Sequence, residues 1–107
     1  MANAVIYNWD DIQPENGNGV SRRLIPGDGA SLKMMSIQAG TTAGRHSHAH
    51  EQFVHVMEGS GYLECEIGTI PFKPGTVIHL APDVWHSAVF QTDTVLVEVE
   101  VNLSPGG

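Results

Sequence analysis

Four side chains set the chemistry to look for. His46, His48 and Gln52 fall within seven residues in the stretch Gly40 to Gly59, GTTAGRHSHAHEQFVHVMEG, and His86 follows in Trp85-His86-Ser87. On an extended strand, side chains two apart share a face, so His46 and His48 point the same way. Gln52 keeps that parity if the pairing continues through a bend. Imidazole nitrogens suit borderline divalent transition metals, and the amide oxygen of glutamine is a weaker, neutral donor. A metal on His46, His48, Gln52 and His86 would therefore keep its charge and act as a strong Lewis acid. At five- or six-coordination it would leave one or two positions open, as a catalytic site requires. The spacing also fits a solvated histidine-rich loop, because the chain carries six histidines in 107 residues.

The elements that must position these residues read as all β. Apolar or alternating runs recur at Val20 to Ile25, Ser31 to Gln38, Gln52 to Met57, Gly61 to Ile67, Thr76 to Leu80, Ser87 to Phe90 and Thr94 to Val101. No segment sustains a helical period. The breaks, such as Pro26-Gly27-Asp28-Gly29 and Glu58-Gly59-Ser60-Gly61, carry residues that supply turn geometry. Many short strands at this spacing predict a sandwich or small barrel. Phe53, Met57 and Phe90 are core candidates, and Met34 and Met35 straddle the two faces of one strand. Pro14 to Gly19 reads as a mobile loop and Ser104 to Gly107 as a frayed tail. At 107 residues the chain has the length of one domain, 1–107.

Five Lys plus Arg against twelve Asp plus Glu give a net charge of −7, which offers no footprint for a nucleic-acid backbone or an anionic membrane. The first residues lack a basic start followed by an apolar run, and no stretch approaches the ~20 apolar residues of a membrane span. A cytoplasmic location is expected. The single cysteine, Cys65, cannot form an internal disulfide and alternates with Leu63 and Ile67 as a small buried side chain.

The stretch Gly40 to Gly59 resembles the first motif of the cupin superfamily. Gly40, His46, His48 and Gly59 match, and Gln52 stands where most cupins carry glutamate. A second motif runs from Gly75 to His86 and beyond, with Ala81, Asp83 and Phe90 in place of the usual proline, glycine and asparagine, and with the proline moved to Pro82. Fifteen residues separate Gly59 from Gly75, similar to the short loop of small prokaryotic single-domain cupins. The resemblance implies a double-stranded β-helix, or jelly roll, over about residues 20–103. Residues 1–19 would form an arm, and the metal would sit inside the barrel mouth.

Within that superfamily, HSHAHEQ and the entry strand Gly19 to Ile25 look like the group that includes the KdgF-type pectin-degradation cupin, whose site is three histidines and a glutamine. That group is understood to open cyclic 4,5-unsaturated uronates to the linear keto form. Its closing Asp-x-Phe-x-x-x-Arg run is not reproduced, since Glu98, Glu100 and Ser104 occupy those positions. The metal site is carried over and the uronate substrate is not. Aromatic polyketide cyclases, hydroxynitrile-lyase-like cupins and an isomerase of antibiotic synthesis share the ligand set. The resemblance therefore implies non-redox lyase or isomerase chemistry on a small sugar-acid or carbonyl substrate. One divalent ion of Zn, Mn, Ni or Fe would serve as the Lewis acid. A metal-dependent dioxygenase and a non-catalytic metal- or ligand-binding cupin are the alternatives.

Beyond the ligands, Glu98 is the carboxylate candidate for acid–base work, although alternation with Val97, Val99 and Val101 reads equally as a solvated strand face. His79 shares parity with Val77 and Ala81, and is either an inward proton shuttle or a satisfied interior histidine. His50 is expected at the rim or in a dimer contact, His55 in core or interface packing, and Arg45 and Glu51 at the surface. Trp85 would wall the pocket or pack on a partner. Edge strands need cover, and related cupins commonly pair, so a homodimer using Ala4 to Ile12 is expected.

Overall fold

The computed structural model describes residues 3–102. The expected tail, Ser104 to Gly107, lies outside the described residues. Ten strands form two antiparallel sheets: β1 (Glu15–Gly17), β2 (Val20–Ile25), β3 (Ala30–Ile37), β4 (Thr42–His46), β5 (Gln52–Glu58), β6 (Gly61–Cys65), β7 (Gly68–Phe72), β8 (Val77–Leu80), β9 (His86–Phe90) and β10 (Thr94–Val101). One sheet has the order β1-β2-β3-β10-β5-β8 and the other β4-β9-β6-β7. A single 3₁₀ turn, Trp9–Asp11, capped by the Asn8 side chain, precedes them. No helix among the described residues is long and apolar enough to cross a membrane.

The seven anticipated runs all appear as strands, and three more appear beside them. The segment read as a mobile loop is instead a hairpin. Glu15–Gly17 pairs with β2, and the two-residue turn Asn18-Gly19 has φ +53° and +78°. Both residues must be left-handed in such a turn, which is why asparagine and glycine occupy it. β7 contains Pro71, which cannot donate to a ladder and is tolerated because β7 is an edge strand. β6 stops at Cys65, and Ile67 lies in the following turn, 86% exposed.

Ile37, Val56, Phe72, Phe90 and Leu96 form the buried core between the sheets, with the Phe72 and Phe90 rings 5.7 Å apart. Phe90 therefore packs inside as expected. Phe53 and Met57 do not, being 39% and 48% exposed on the outer face of β5 while Gln52, Val54 and Val56 face in. His55 shares that exposed outer face and is no core residue. Gly59 turns β5 into β6 at φ +95°, where a Cβ would lie 2.6 Å from Thr94 Cα. A side chain is excluded there twice, by conformation and by space.

Candidate metal centre

β4 and β9 are paired antiparallel, with Ala43 opposite Ala88 and His46 opposite His86. Three residues on β4 thus span two on β9, an extra residue at Gly44-Arg45 that makes a bulge. Its consequence is parity. Ala43 and His46 are an odd number apart, yet both line the same cavity, because the bulge turns His46 back inward. Arg45 is thrown outward, its guanidinium 3.8 Å above the Trp85 ring. That stack joins the residue before His46 to the residue before His86.

His48 lies beyond the end of β4, so its position does not come from strand parity. The loop is fixed by backbone instead: Asp83 N–H donates to the His48 carbonyl at 2.7 Å, and Val101 N–H to the Glu51 carbonyl at 2.9 Å. Asp83 stands at the glycine position of the second motif and adopts φ +66°, a left-handed conformation that Asp tolerates better than most residues. His50 is held away from the other histidines by a 3.1 Å hydrogen bond from Nδ1 to the Val101 carbonyl.

The potential ligand nitrogens of His46, His48 and His86 all lie within 4.8 Å of one another, a group able to hold a metal ion. His46 Nδ1 donates to the Gly44 carbonyl at 2.6 Å and His86 Nδ1 to the Val84 carbonyl at 3.1 Å. A carbonyl can only accept, so these bonds place the hydrogen on Nδ1 and leave Nε2 as the lone-pair donor. Partners of this kind orient metal-bound histidines generally. Burial, reinforced by the neighbouring His46, lowers the pKa of His48. Burial also lowers that of His86 against the Val84 hydrogen bond. Both rings are therefore favoured in the neutral form that binds metal.

Gln52, 3% exposed, opens β5 and lines the same cavity. Its Nε2 donates to Glu100 Oε1 at 3.0 Å, and Lys33 Nζ reaches the same oxygen at 3.4 Å. With the amide nitrogen held by a carboxylate, the amide oxygen is the end left for the cavity. Glutamate at position 52 would put two carboxylates in contact, so the neutral ligand matches Glu100. The donor set, three imidazoles and one oriented amide oxygen, fits a divalent transition metal.

The cavity measures about 390 Å³. Besides the histidines and Gln52 it is lined by Arg22, Lys33, Met35, Glu98 and Glu100, all on the inner face of the six-stranded sheet. β10 thus turns its glutamates inward and Val97 and Val99 outward. Burial raises the Glu98 carboxyl above its ordinary range, Lys33 opposes this, Glu100 adds to it, and Arg22 and His46 oppose it. Sequence alone does not mark Glu100, Lys33 or Arg22 as site residues, and the one signal is the alternation of Glu100 with the β10 valines.

His79 does not point into the barrel. Ile78 and Leu80 take the inward positions, and His79 lies outside, stacked on Phe53 at 4.5 Å and bonded to Glu51 at 2.6 Å. Cys65 is half-buried instead of fully buried, with Sγ 3.8 Å from the Gly68 carbonyl.

Two facing antiparallel sheets with a histidine group at one end of their shared cavity define a jelly-roll protein with a candidate metal centre. The family model described as Cupin domain matches residues 33–102, well over half the chain, and the chain belongs to that family. A comparison with curated proteins finds none that matches. Among solved structures, an RmlC-like cupin from Shewanella frigidimarina superposes with TM-score 0.86 at 19% identity, covering 97% of this chain and 96% of that one. KdgF from Halomonas sp. gives 0.85 at 17% identity, covering 94% and 96%. Ectoine synthase from P. lautus gives 0.83 at 23% identity, covering 92% and 78%. Identities this low establish a shared fold.

Proposed function

We propose that this cupin is a metal-dependent lyase or isomerase acting on a small oxygenated substrate, a sugar acid or carbonyl compound. His46, His48, Gln52 and His86 would hold one divalent ion of Zn, Mn, Ni or Fe. When bound, the ion supplies Lewis acidity, withdrawing electrons from a substrate oxygen and acidifying the adjacent C–H or O–H. Glu98 moves the proton. Its carboxyl shares the cavity with the histidine group, and this juxtaposition is the observation that carries the reading. Burial raises its proton affinity toward the working range of a general acid–base catalyst. Glu100 is committed to Gln52 and Lys33, so it orients a ligand and leaves the transfer to Glu98. Met35, Val54, Leu96 and Ala88 make the wall around the transfer apolar.

The same reading includes a cytoplasmic homodimer. The outer face of the six-stranded sheet exposes Phe53, Met57 and Val77, and the arm exposes Val5 and Ile6, at 68% and 94%. A second copy would cover both.

The test is proton exchange. Metal-loaded protein is incubated in D₂O with a panel of keto acids, uronic acids and diketones, and C–H loss is followed by ¹H NMR beside an oxygen electrode. Exchange without oxygen uptake, slowed roughly 10²- to 10⁴-fold in Glu98→Gln, is expected. Stoichiometric oxygen consumption would establish the dioxygenase alternative, and exchange unaffected by Glu98→Gln would remove Glu98 from the chemistry.

A further inference from the structure

The chain has only five Lys and Arg side chains, and they are unevenly spent. Arg23 bonds the Ile12 carbonyl at 3.1 Å, Arg45 lies on Trp85, and Lys73 is exposed between β7 and β8. The other two, Arg22 and Lys33, line the cavity that holds the histidine group. Lys33 is paired with Glu100 at 3.4 Å. The ion pairs among the described residues are that one and Glu51–His79, and Arg22 belongs to neither.

Register places Arg22 on the inner face. It pairs with Met35, which pairs with Leu96, which pairs with Val56, and all four line the cavity. β2 and β5 lie three strand spacings apart in the sheet, about 14 Å in all. Arg22 thus approaches the cavity from the side away from Gln52, with Glu98 on β10, one of the two strands between. Arg22 is an exposed residue lining the cavity that makes no ion pair, although its charge reaches Glu98, and in a chain of net charge −7 it is a local exception to a field that repels anions.

Resting on the metal reading above, we propose that Arg22 anchors a carboxylate of the substrate, fixing its far end while its oxygens meet the metal. The guanidinium fork matches a carboxylate in two parallel hydrogen bonds, which fixes orientation as well as attraction. The strand separation calls for a substrate longer than a two-carbon acid. Glu98, between the two anchors, then faces the middle of the molecule.

A matched pair of open-chain six-carbon probes tests this. D-gluconate and D-glucitol are titrated calorimetrically into zinc-loaded protein and into Arg22→Met and Arg22→Lys, with metal content measured in each sample. Wild type should prefer gluconate roughly 10- to 100-fold. Arg22→Met should lose that preference while keeping glucitol affinity and full zinc, and Arg22→Lys should keep part of it. Equal binding of both probes by wild type, no gluconate binding at all, or an unchanged preference in Arg22→Met would overturn the proposal. Zinc-loaded protein that is indifferent to Arg22 defeats this inference alone, whereas protein that takes up no zinc defeats the metal reading and this inference with it.

Discussion

Glu100 illustrates how one residue sets the character of the centre. Gln52 is buried and its Nε2 has Glu100 as acceptor, so in the proposed centre a neutral ligand and an external carboxylate would take the place of a directly binding glutamate. Removing the acceptor leaves a buried amide unsatisfied and free to turn its nitrogen inward. Glu100→Leu should therefore weaken zinc binding by roughly 10- to 100-fold in competition with a chromophoric chelator, with Glu100→Gln less affected. Unchanged affinity in Glu100→Leu would mean that Gln52 is not oriented by this bond. Glu98 gives the pH dependence. Burial raises its folded-state pKa, so above the unfolded value the folded state binds more protons than the unfolded state, and stability falls as pH rises through the folded pKa. Metal-free Glu98→Gln should be more stable than wild type at neutral pH in urea unfolding, and the gain should vanish as pH falls to the unfolded value near 4.5. A gain independent of pH would show that the effect is packing and not charge.

Strand existence and strand facing were unequally legible. Alternation located β2, β3, β5, β6, β8, β9 and β10, because period-2 patterning survives wherever one face is buried. It did not say which face. On β10 the alternation leaves Glu98 open between an inward acid–base position and a solvated face, and the structure turns Glu98 and Glu100 into the cavity and Val97 and Val99 outward. Phe53 and Met57 on β5 and His79 on β8 lie on the outer face, where the alternation alone does not place them. β4 was hidden by its bulge, which breaks the period at Gly44, and β7 by Pro71. The motif spacing pointed to His46, His48, Gln52 and His86, whereas Arg22 and Lys33 required the register of β2 and β3 to be seen. Gly59 tests the element geometry. Gly59→Ala would force a side chain into φ +95° and against Thr94, a loss of about 2–4 kcal/mol in urea unfolding. A variant within 0.5 kcal/mol of wild type, about the range of a neutral surface change, would contradict the turn.

On the scale of the molecule, the two sheets divide the work. The small sheet brings His46 and His86 together through the β4–β9 pair, and the large sheet supplies Gln52, Glu98, Glu100, Lys33 and Arg22 on its inner face. The outer face of that sheet is where a second copy would dock, and light scattering after size exclusion should return twice the 11.5 kDa chain mass. A single-chain mass at micromolar concentration would refute the dimer. The measurement that bears most directly on the whole account is elemental analysis of untagged protein beside His86→Ala, whose histidine is buried at the join of the two motifs. Wild type should carry close to one transition-metal ion per chain, and the variant should lose most of it while keeping its β-rich circular dichroism. A wild type that stays empty after exposure to zinc, manganese, nickel and iron, or a folded variant that keeps its metal, would contradict the assignment of this cluster as a metal centre.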